Sequence, residues 1–332
     1  MGIVNLQPNF FIGPMSKNIV DAIIEFCELT NNTIGLIPSR RQVEYDGGYV
    51  NNWTTEQFAT YVKSKTNKVL LVRDHSGPGQ GQIDDDGYTS LINDCKHLDI
   101  IHIDPWRKYP SFDLGLNETI KMIEYCYTIN PNISYEIGTE ESIRRFDEYE
   151  INDLLTQLKN RLSPEIFKQI HYVVIQSGTS LRGTNQTGNY DSIRLKKMID
   201  ISKKFGISSK EHNGDYIPTS TIFEKFNLGL NSINIAPEFG LIETMTYLNE
   251  IKKDETILKY YKICYESKKW EKWVTPDFIP NENKIELIKI CGHYVLSNEK
   301  FLNEIKNELP DIDSKIKKNI KIKLEKLYGI IT

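Results

Sequence analysis

The sequence lacks the features that mark membrane-spanning, secreted and nucleic-acid-binding proteins. No apolar run approaches the roughly 20 residues that a transmembrane helix needs. Met1–Phe11 has neither a charged start nor a long apolar core, so we expect no signal peptide. The formal net charge is −4 at pH 7, which gives no basis for a general affinity for nucleic acid or for an acidic membrane. We therefore predict neither a nucleic-acid partner nor a membrane partner.

Cysteine is scarce, and the common nucleotide-binding motifs are missing. The cysteines are odd in number, scattered and without a CxxC pair, which predicts reduced thiols in a cytoplasmic protein rather than disulfides or a zinc cluster. They are Cys27, Cys95, Cys126, Cys264 and Cys291. No GxGxxG follows the first predicted strand, and the turn Gly77–Gly81 lacks the GK[ST] of a P-loop. A dinucleotide or nucleoside triphosphate cofactor is therefore not indicated.

Short apolar runs alternate with helical patterns along most of the chain. The runs are rich in Ile and Val and apolar on both faces, which is typical of parallel strands covered on both sides. They are Phe10–Ile12, Thr33–Ile37, Val69–Val72, Ile100–Ile103, Ile133–Ile137, Tyr172–Ile175, Ile207–Glu211 and Ser232–Ile235. Eight βα units over about 250 residues predict a (β/α)8 TIM barrel. A doubly wound open sheet would tolerate the same alternation and stays an alternative.

The pattern changes at about Lys252. From there Lys, Glu, Ile and Leu recur at helical spacing, interrupted by Trp270 and Trp273. We predict a barrel over residues 1–252 and a helical C-terminal extension over residues 253–332, packed on the barrel. This extension is also a candidate contact with another subunit.

Polar side chains follow the predicted strands at the points where the strands end. They are Ser39, Arg40, Arg41 and Gln42; Asp74 and His75; Asp104; Glu136 and Glu140; Gln176, Ser177 and Gly178; Glu211, His212 and Asp215; and Asn234 and Ala236. Active sites of such barrels lie at the carboxyl ends of the strands, so we expect these groups to meet there.

Two histidines and several carboxylates on one rim fit a divalent metal site. His75 and His212 each have an acidic residue beside them. Imidazole with carboxylate suits Zn²⁺, with Mn²⁺ or Fe²⁺ as alternatives. Both histidines could instead be hydrogen-bonded rim residues without a metal. The remaining histidines are predicted to be structural; they are His97, His102, His171 and His293.

Arginines near these strand ends point to an anionic ligand. Arg40, Arg41 and Arg182 carry guanidinium forks that bind phosphate in a bidentate manner. The turns Ser177–Thr179 and Asn213–Gly214 could add backbone N–H groups to the same ligand. The alternative is that the arginines form ordinary surface salt bridges.

Several of these segments together resemble a known family. They are Ser39–Val43 with Gly47–Tyr49, Asp74–Pro78, Ile101–Asp104, Tyr135–Glu140 and Glu211–Tyr216. In order and approximate spacing, over roughly residues 10–300, they resemble the non-catalytic-subunit family of class II D-tagatose-1,6-bisphosphate aldolase. That family is related to the metal-dependent class II fructose- and tagatose-bisphosphate aldolases, and the resemblance implies a (β/α)8 barrel.

The resemblance also implies roles for individual residues. Asp74 would be the catalytic acid and base, with Glu140 as a second catalytic carboxylate. The implied metal-site residues are His75, Glu136, His212 and Asp104. The implied substrate and phosphate contacts are Arg40, Arg41, Gln42, Gln176, Ser177, Gly178, Arg182, Glu211, Asp215, Asn234 and Ala236. The chain departs from the catalytic aldolases at Gln176, where a histidine ligand is expected, and from the subunit family at Arg40–Arg41.

These observations lead to a predicted function and its alternatives. The first is a metal-dependent aldolase that cleaves or forms a carbon–carbon bond in a phosphorylated ketose through an enediolate. The second is a non-catalytic barrel subunit that stabilises a separate aldolase subunit, and the third is a sugar-phosphate epimerase or isomerase. The expected partners are a phosphorylated sugar and either a second aldolase subunit or further copies of this chain.

Overall fold

The protein is a closed barrel of eight parallel strands, as seen in a computed structural model that describes residues 6–331. Each strand pairs with two parallel neighbours, and the ring closes between Phe10–Ile12, the first strand in the chain, and Ser232–Ile235, the last. Closure excludes the open-sheet alternative and confirms the predicted TIM barrel with its C-terminal helices. Residues 1–5 and 332 lie outside the described part, so the expectation of no signal peptide, which rests on Met1–Phe11, falls partly outside it.

The strands lie close to their predicted positions. The barrel strands are β1 Phe10–Ile12, β2 Ile34–Leu36, β3 Val69–Ser76, β4 Ile100–Ile103, β5 Ser134–Ile137, β6 Ile170–Ile175, β9 Ser208–Glu211 and β10 Ser232–Ile235. A short antiparallel hairpin that the sequence analysis did not predict lies between β6 and β9; its strands are β7 Leu181–Arg182 and β8 Asn185–Gln186.

Helices surround the barrel and continue past its last strand. Those up to β10 are α1 Lys17–Thr30, α2 Thr55–Lys63, α3 Tyr88–His97, α4 Phe112–Ile129, α5 Glu148–Arg161, α6 Pro164–Phe167, α7 Ser192–Lys204 and α8 Thr219–Asn227. Those after β10 are α9 Pro237–Glu250, α10 Asp254–Glu266, α11 Lys284–Cys291, α12 Glu299–Glu304 and α13 Ile312–Tyr328. Short 3₁₀ turns occupy Glu271–Trp273, Gly292–Val295 and Lys306–Glu308.

Side-chain caps fix where several helices begin. Ser16 accepts a hydrogen bond from the N–H of Ile19 and caps α1. Thr54 with Gln57 forms a capping box at the start of α2. These caps satisfy N–H groups that have no partner within the helix. They therefore fix the residue at which the chain turns from the barrel rim into each helix.

The barrel interior changes from apolar to polar toward the carboxyl ends of the strands. Phe11, Leu70, Val72, Ile100 and Tyr172 form most of a small apolar cluster inside the barrel. Because side chains alternate along a strand, the residue two positions after an inward apolar residue also points inward. On β4 that residue is His102, which pairs in register with Glu136 on β5. The interior therefore presents polar groups above its apolar floor.

Strand β3 is irregular at the position where it delivers the predicted catalytic pair. Its register with β4 shifts between Arg73 and Ser76, and His75 has a φ of 48°. A bulge of this kind re-aims side chains, and a non-glycine residue with positive φ stores strain that is commonly found at functional sites. Arg73 holds the strand from outside, because its guanidinium forms a fully buried ion pair with Asp94.

The C-terminal helices pack onto the barrel. Helix α13 lies against α1 and α9, and it buries Ile312, Ile316, Ile320, Leu324 and Leu327. The boundary at residue 252 stays a prediction, since nothing in the packing separates the two parts. Within residues 6–331, the helices lack the combination of length and apolar character that spanning a membrane would require.

Candidate active site

A cavity of about 230 Å³ opens at the carboxyl ends of the barrel strands. Its wall includes nine of the predicted site residues, which come from five different strand ends and the loops after them. They are Arg41, Gln42, Asp74, His75, Glu140, His212, Asp215, Asn234 and Ala236. The structure therefore brings together most of the polar residues that the sequence analysis placed on one rim.

Three imidazoles meet at the bottom of this cavity. The ring centroid of His75 lies 4.9 Å from that of His102 and 5.2 Å from that of His212. The centroids of His102 and His212 are 5.0 Å apart. One donor atom from each histidine and one from Asp74 all lie within 4.8 Å of one another. We call these four residues the His/Asp cluster.

His75 is oriented by a carboxylate behind it. Its Nδ1 donates to Oδ2 of Asp104 at 2.6 Å. This leaves Nε2 facing the cavity, 3.9 Å from Oδ1 of Asp74 and 3.9 Å from Oε2 of Glu140. Burial alone would lower the pKa of His75, but the charges of Asp74, Asp104 and Glu140 raise it to about 10. The cluster thus attracts positive charge at Nε2.

Asp104 is engaged on both oxygens. Its Oδ2 accepts hydrogen bonds from His75, from Thr139 at 3.0 Å and from Gln80 at 3.2 Å. Its Oδ1 accepts from the N–H of Trp106 at 3.2 Å. Burial opposes ionisation, but these contacts and the charge of His75 lower the pKa of Asp104. Asp104 therefore positions the imidazole, and no oxygen of it faces the cavity free of a partner.

His212 is oriented in the same way on the opposite side of the cluster. Its Nε2 donates to Oε1 of Glu136 at 2.7 Å, and its Nδ1 lies 3.9 Å from Oδ1 of Asp74. The other oxygen of Glu136 accepts from Nζ of Lys210 at 2.6 Å. Burial would raise the pKa of Glu136, but the charges of Lys210, His102 and His212 lower it. Glu136 is an anion held by two partners.

His102 belongs to the cluster although the sequence analysis assigned it a structural role. Its Nδ1 accepts a hydrogen bond from the backbone N–H of His75 at 3.2 Å, and its Nε2 donates to the carbonyl of Gly138 at 3.0 Å. Burial and the charges of His75 and His212 lower the pKa of His102 to about 4. In the sequence, His102 occupies an inward position of its strand. In a closed barrel, an inward side chain at the end of a strand points into the site.

The donor atoms of the cluster fit a divalent metal ion. Nε2 of His75, Nδ1 of His212 and Oδ1 of Asp74 have no strong hydrogen-bond partner and face one another. Zinc–nitrogen bonds of about 2.0–2.1 Å place neighbouring ligand atoms roughly 3.4 Å apart. The 3.9 Å distances from Oδ1 of Asp74 to the two imidazole nitrogens would therefore shorten only slightly around an ion. Carboxylates behind ligating imidazoles are the usual outer contacts of such sites. Asp104 and Glu136 occupy that position here.

Gln176 takes the place of the histidine expected after the sixth barrel strand. Its Oε1 accepts from the N–H of Phe146 at 2.9 Å and from Arg194 at 3.1 Å. Its Nε2 donates to the carbonyls of Thr139 and Arg144, both at 2.8 Å. The amide therefore fastens the loop after β5, which carries Glu140, and it does not line the cavity.

Ser177 and Glu211 form a buried group beside the cavity rather than a wall of it. Ser177 donates to Oε1 of Glu211, whose Oε2 is paired with Nζ of Lys225. Lys225 also donates to Ser177 at 2.9 Å, and both members of the ion pair are buried. The hydroxyl of Ser177 is thus engaged inside the fold. Gly178 follows it with a φ of 88° and packs closely against the carbonyl of Asn189.

Two of the predicted phosphate-binding arginines lie apart from the cavity. Arg40 is buried, with Nε 2.6 Å from Glu44 and Nη2 2.6 Å from Asp85. Arg182 is exposed on the hairpin β7–β8. Of the three arginines, Arg41 alone lines the cavity.

Asp215 shapes the cavity by capping a helix. Its Oδ1 accepts from the N–H groups of Ala236 at 2.9 Å and Glu238 at 2.7 Å, at the start of α9. Burial, with the charge of Glu238, raises the pKa of Asp215 to about 8. Asn234 lies near by, and its Nδ2 is 3.5 Å from Oδ1 of Asp74.

Sequence reasoning missed four further residues of the site. Lys210 is an inward residue of β9, and its pairing with Glu136 could be inferred only from the barrel register. Gln80, Arg107 and Lys272 line the cavity from loops and from the C-terminal extension. No strand-end pattern marks these three positions, so only the folded chain reveals them.

Comparisons with known proteins place the fold. A probable tagatose 6 phosphate kinase from Sinorhizobium meliloti 1021 superposes with a TM-score of 0.75 at 14% identity, covering 97% of this chain and 100% of the other. A glycerol complex of fructuronate-tagaturonate epimerase from Cohnella laeviribosi gives 0.63 at 11% identity, covering 99% and 83%. Fructose-bisphosphate aldolase from Campylobacter jejuni gives 0.57 at 12% identity, covering 97% and 90%.

No protein-family model and no curated protein matches the sequence. The predicted resemblance to aldolase-type barrels is confirmed at the level of structure, with low sequence identity throughout. The chain is thus a TIM barrel that shares its fold with these proteins and carries, at the carboxyl ends of its strands, a His/Asp cluster capable of holding a metal ion.

Proposed function

We propose that the protein is a metal-dependent enzyme of the class II aldolase type, acting on a phosphorylated ketose. The observation that carries this proposal is the pair of imidazole nitrogens, Nε2 of His75 and Nδ1 of His212, that face Oδ1 of Asp74 at 3.9 Å each. A scaffold gains nothing from gathering partly desolvated histidines and carboxylates around one point, since burying such groups costs stability.

The ligands of the ion would be His75 and His212, with a carboxylate oxygen from Asp74 or Glu140. Zn²⁺ suits this set of donors, and Mn²⁺ or Fe²⁺ would also be accepted by it. When bound, the ion would supply Lewis-acid stabilisation of the negative charge that develops on an enediolate. Asp104 and Glu136, predicted as ligands from the sequence, would instead fix the ring orientation of the two histidines.

The chain's own residues would carry out the proton transfer. Asp74 is partly exposed to the cavity, and among residues 6–331 its carboxylate accepts a single weak hydrogen bond, from Asn234, so one carboxylate oxygen remains open to a substrate hydroxyl. In the cleavage direction Asp74 would accept the proton of the C4 hydroxyl as the C3–C4 bond breaks, and in condensation it would return it. Asn234, whose Oδ1 has no partner among residues 6–331, would accept a hydrogen bond from another hydroxyl.

A second candidate function is a non-catalytic barrel subunit that stabilises a separate aldolase subunit. The observation that favours it is Gln176, which occupies the position of an expected ligand and is fully engaged in fastening the β5 loop. A sugar-phosphate epimerase or isomerase would use the same enediolate chemistry without breaking a carbon–carbon bond, so its reaction product distinguishes it.

The test uses the isolated chain. It is loaded with Zn²⁺, dialysed and assayed for bound metal and for cleavage of ketose phosphates, beside Asp74→Ala, His75→Ala and the control His97→Ala. The enzyme proposal expects near-stoichiometric metal and turnover that only the first two variants lose. A metal-free chain, inactive until a second aldolase subunit is added, would establish the non-catalytic function instead. Conversion of the ketose into an isomeric sugar phosphate without a triose product would identify an epimerase or isomerase.

A further inference from the structure

The mouth of the cavity carries positive charge that no acidic side chain neutralises. Arg41, Arg107 and Lys272 all line the cavity, and within residues 6–331 none of them forms an ion pair. The carboxylates of the cavity lie deeper, in and around the His/Asp cluster. Arg40, next to Arg41 in sequence, is by contrast neutralised by two acidic partners. The unpaired cations are therefore concentrated at one end of the site.

Each of these cations is held by the protein through only part of its hydrogen-bonding capacity. Nε of Arg41 donates to the carbonyl of Gly81 at 3.1 Å, and Nε of Arg107 donates to Oε1 of Gln80 at 3.2 Å. Within the described chain no hydrogen bond engages the terminal nitrogens of either guanidinium. A guanidinium held at Nε presents its two terminal nitrogens as a preset fork, which is the arrangement that binds phosphate oxygens.

Lys272 joins this group from the C-terminal extension. It lies in the 3₁₀ turn Glu271–Trp273, and its Nζ is 4.6 Å from the ring of Trp273 and 5.3 Å from that of Tyr294. Nε1 of Trp273 donates to the hydroxyl of Tyr294 at 3.2 Å, which fixes the turn over the cavity. The extension thus adds a third cation to the two that the loops after β2 and β4 supply.

The concentration of positive charge at the cavity mouth favours an anionic ligand. Desolvation and the charges of Arg41, Lys269 and Arg107 lower the pKa of Lys272 to about 8. Like charges brought together in this way repel one another, and a dianion placed among them would remove the repulsion. A carboxylate would offset less of it, because it carries a single charge.

We propose that Arg41, Arg107 and Lys272 form the subsite that binds the phosphate group of the substrate. This inference rests on the proposed function, because it deepens that function by locating the phosphate end of the ketose at the mouth and its reacting carbons at the His/Asp cluster. Of the predicted phosphate contacts it keeps Arg41, and it replaces Arg40, Arg182 and the Ser177–Gly178 turn. The C-terminal extension then has a direct part in binding substrate.

The link between Arg107 and the metal side of the cavity gives the subsite a fixed position. Gln80 accepts from Arg107 through Oε1 and donates through Nε2 to Oδ2 of Asp104 at 3.2 Å. Asp104 in turn orients His75. The phosphate subsite and the His/Asp cluster are therefore joined by one short chain of hydrogen bonds, which would hold a bound sugar phosphate in a single orientation.

The experiment measures binding of inorganic phosphate to the metal-free protein, prepared with a chelator, by ³¹P NMR titration. The variants are Lys272→Gln, Arg107→Gln and Arg182→Gln, with Lys262→Gln on the exposed face of α10 as a charge-matched control. Removing one charge-assisted contact should weaken phosphate binding about tenfold in the first two variants and leave it unchanged in the last two. Thermal unfolding of each variant confirms that it is folded.

The remaining outcomes would overturn the proposal. It fails if the wild-type protein binds no phosphate, if Lys272→Gln and Arg107→Gln bind it as tightly as the wild type, or if Arg182→Gln is the variant that loses binding. Displacement of phosphate by equal concentrations of acetate would identify a carboxylate subsite and would also contradict it. Because the titration is done without metal, its result is independent of whether the His/Asp cluster proves to be a metal site.

Discussion

Nζ of Lys210 lies 2.6 Å from Oε2 of Glu136, and both side chains are buried inside the barrel. The same carboxylate accepts from His212, and Nζ of Lys210 also lies 3.8 Å from the ring centroid of Phe11. The pair therefore connects the apolar floor of the barrel to the His/Asp cluster. A buried ion pair of this kind is costly to break from one side only, because the remaining charge has no solvent to stabilise it.

Lys210→Met should therefore lower the free energy of unfolding by about 3 kcal/mol, the lower end of the usual cost of removing one partner of a buried ion pair, because Glu136 keeps its hydrogen bond from His212. Urea denaturation followed by circular dichroism measures it. The double variant Lys210→Met with Glu136→Gln should recover part of this loss, since neither charge then remains. A single variant that loses less than about 1 kcal/mol would contradict the pairing as described.

The histidines of the cluster should differ in their importance for metal binding. His212→Ala removes an open nitrogen and should abolish high-affinity Zn²⁺ binding. His102→Ala removes a ring whose nitrogens both bond to backbone groups, so it should weaken binding by about 10–100-fold, as is typical of residues that support a ligand. Competition with a chromophoric chelator measures both, and His97→Ala is the control. Equal losses in the two variants would make His102 a ligand.

The barrel was predictable from the sequence because its evidence is local. Most of the buried parallel strands are short runs rich in Ile and Val, and several are followed by a helix that begins at a capping residue, such as Ser16. The number of these βα units predicts the barrel, and the barrel fold places the carboxyl ends of the strands on one rim. The short hairpin β7–β8 was missed because its residues are polar and few.

The site was predictable only as far as strand ends define it. Asp74, His75 and His212 stand immediately at or after strand ends, and the fold brings them together. Whether a rim carboxylate faces the cavity or a neighbouring imidazole depends on side-chain geometry, which spacing does not encode. Lys272 could not be placed at all, since it comes from a turn that is distant in sequence from every barrel strand.

Arg40 should prove to be important for stability rather than for substrate binding. Arg40→Met leaves the buried Glu44 without its cation and frees Asp85, so the free energy of unfolding should fall by about 3 kcal/mol. Phosphate binding at 10–15 °C below the unfolding transition should stay within about twofold of the wild type, which corresponds to a few tenths of a kcal/mol. Arg161→Met, on the exposed end of α5, is the control for stability. A tenfold loss of phosphate affinity in folded Arg40→Met would contradict this assignment.

Gln176→His should not create the histidine metal ligand that is expected at this position by comparison with the catalytic aldolases. The amide makes four hydrogen bonds, three to the loop after β5 and one from Arg194 on α7, and an imidazole can replace at most two of them. The expected result is a loss of about 2–3 kcal/mol in unfolding free energy with no gain in Zn²⁺ affinity. Faster hydrogen exchange across residues 139–146 would accompany it. A Zn²⁺ affinity raised tenfold or more would show that the loop can open and that the position is still a ligand site.

The stability of the protein should depend on pH through Glu243, far from the His/Asp cluster. This carboxyl on α9 is buried, and it bonds to Ser16 and, at 2.9 Å, to Asn18. Burial, with the charge of Asp313, raises the pKa of Glu243 from 4.5 to about 7. The folded state therefore binds a proton more tightly than the unfolded state does.

The contribution of Glu243 is complete below pH 4.5, where both states are protonated, and it is lost as the pH rises toward 7. The expected slope between these values is at most about 1.4 kcal/mol per pH unit, the linkage value for one proton.

The variant Glu243→Gln keeps the shape of the side chain and removes the titration. The stability of the wild type relative to this variant should therefore fall steadily between pH 5 and 7. Urea denaturation at pH 5, 6, 7 and 8 measures it, and Glu282→Gln in an exposed loop should parallel the wild type. Parallel curves for Glu243→Gln as well would mean that Glu243 ionises normally, and the polar contacts with Ser16 and Asn18 would then have to be strong enough to offset its burial.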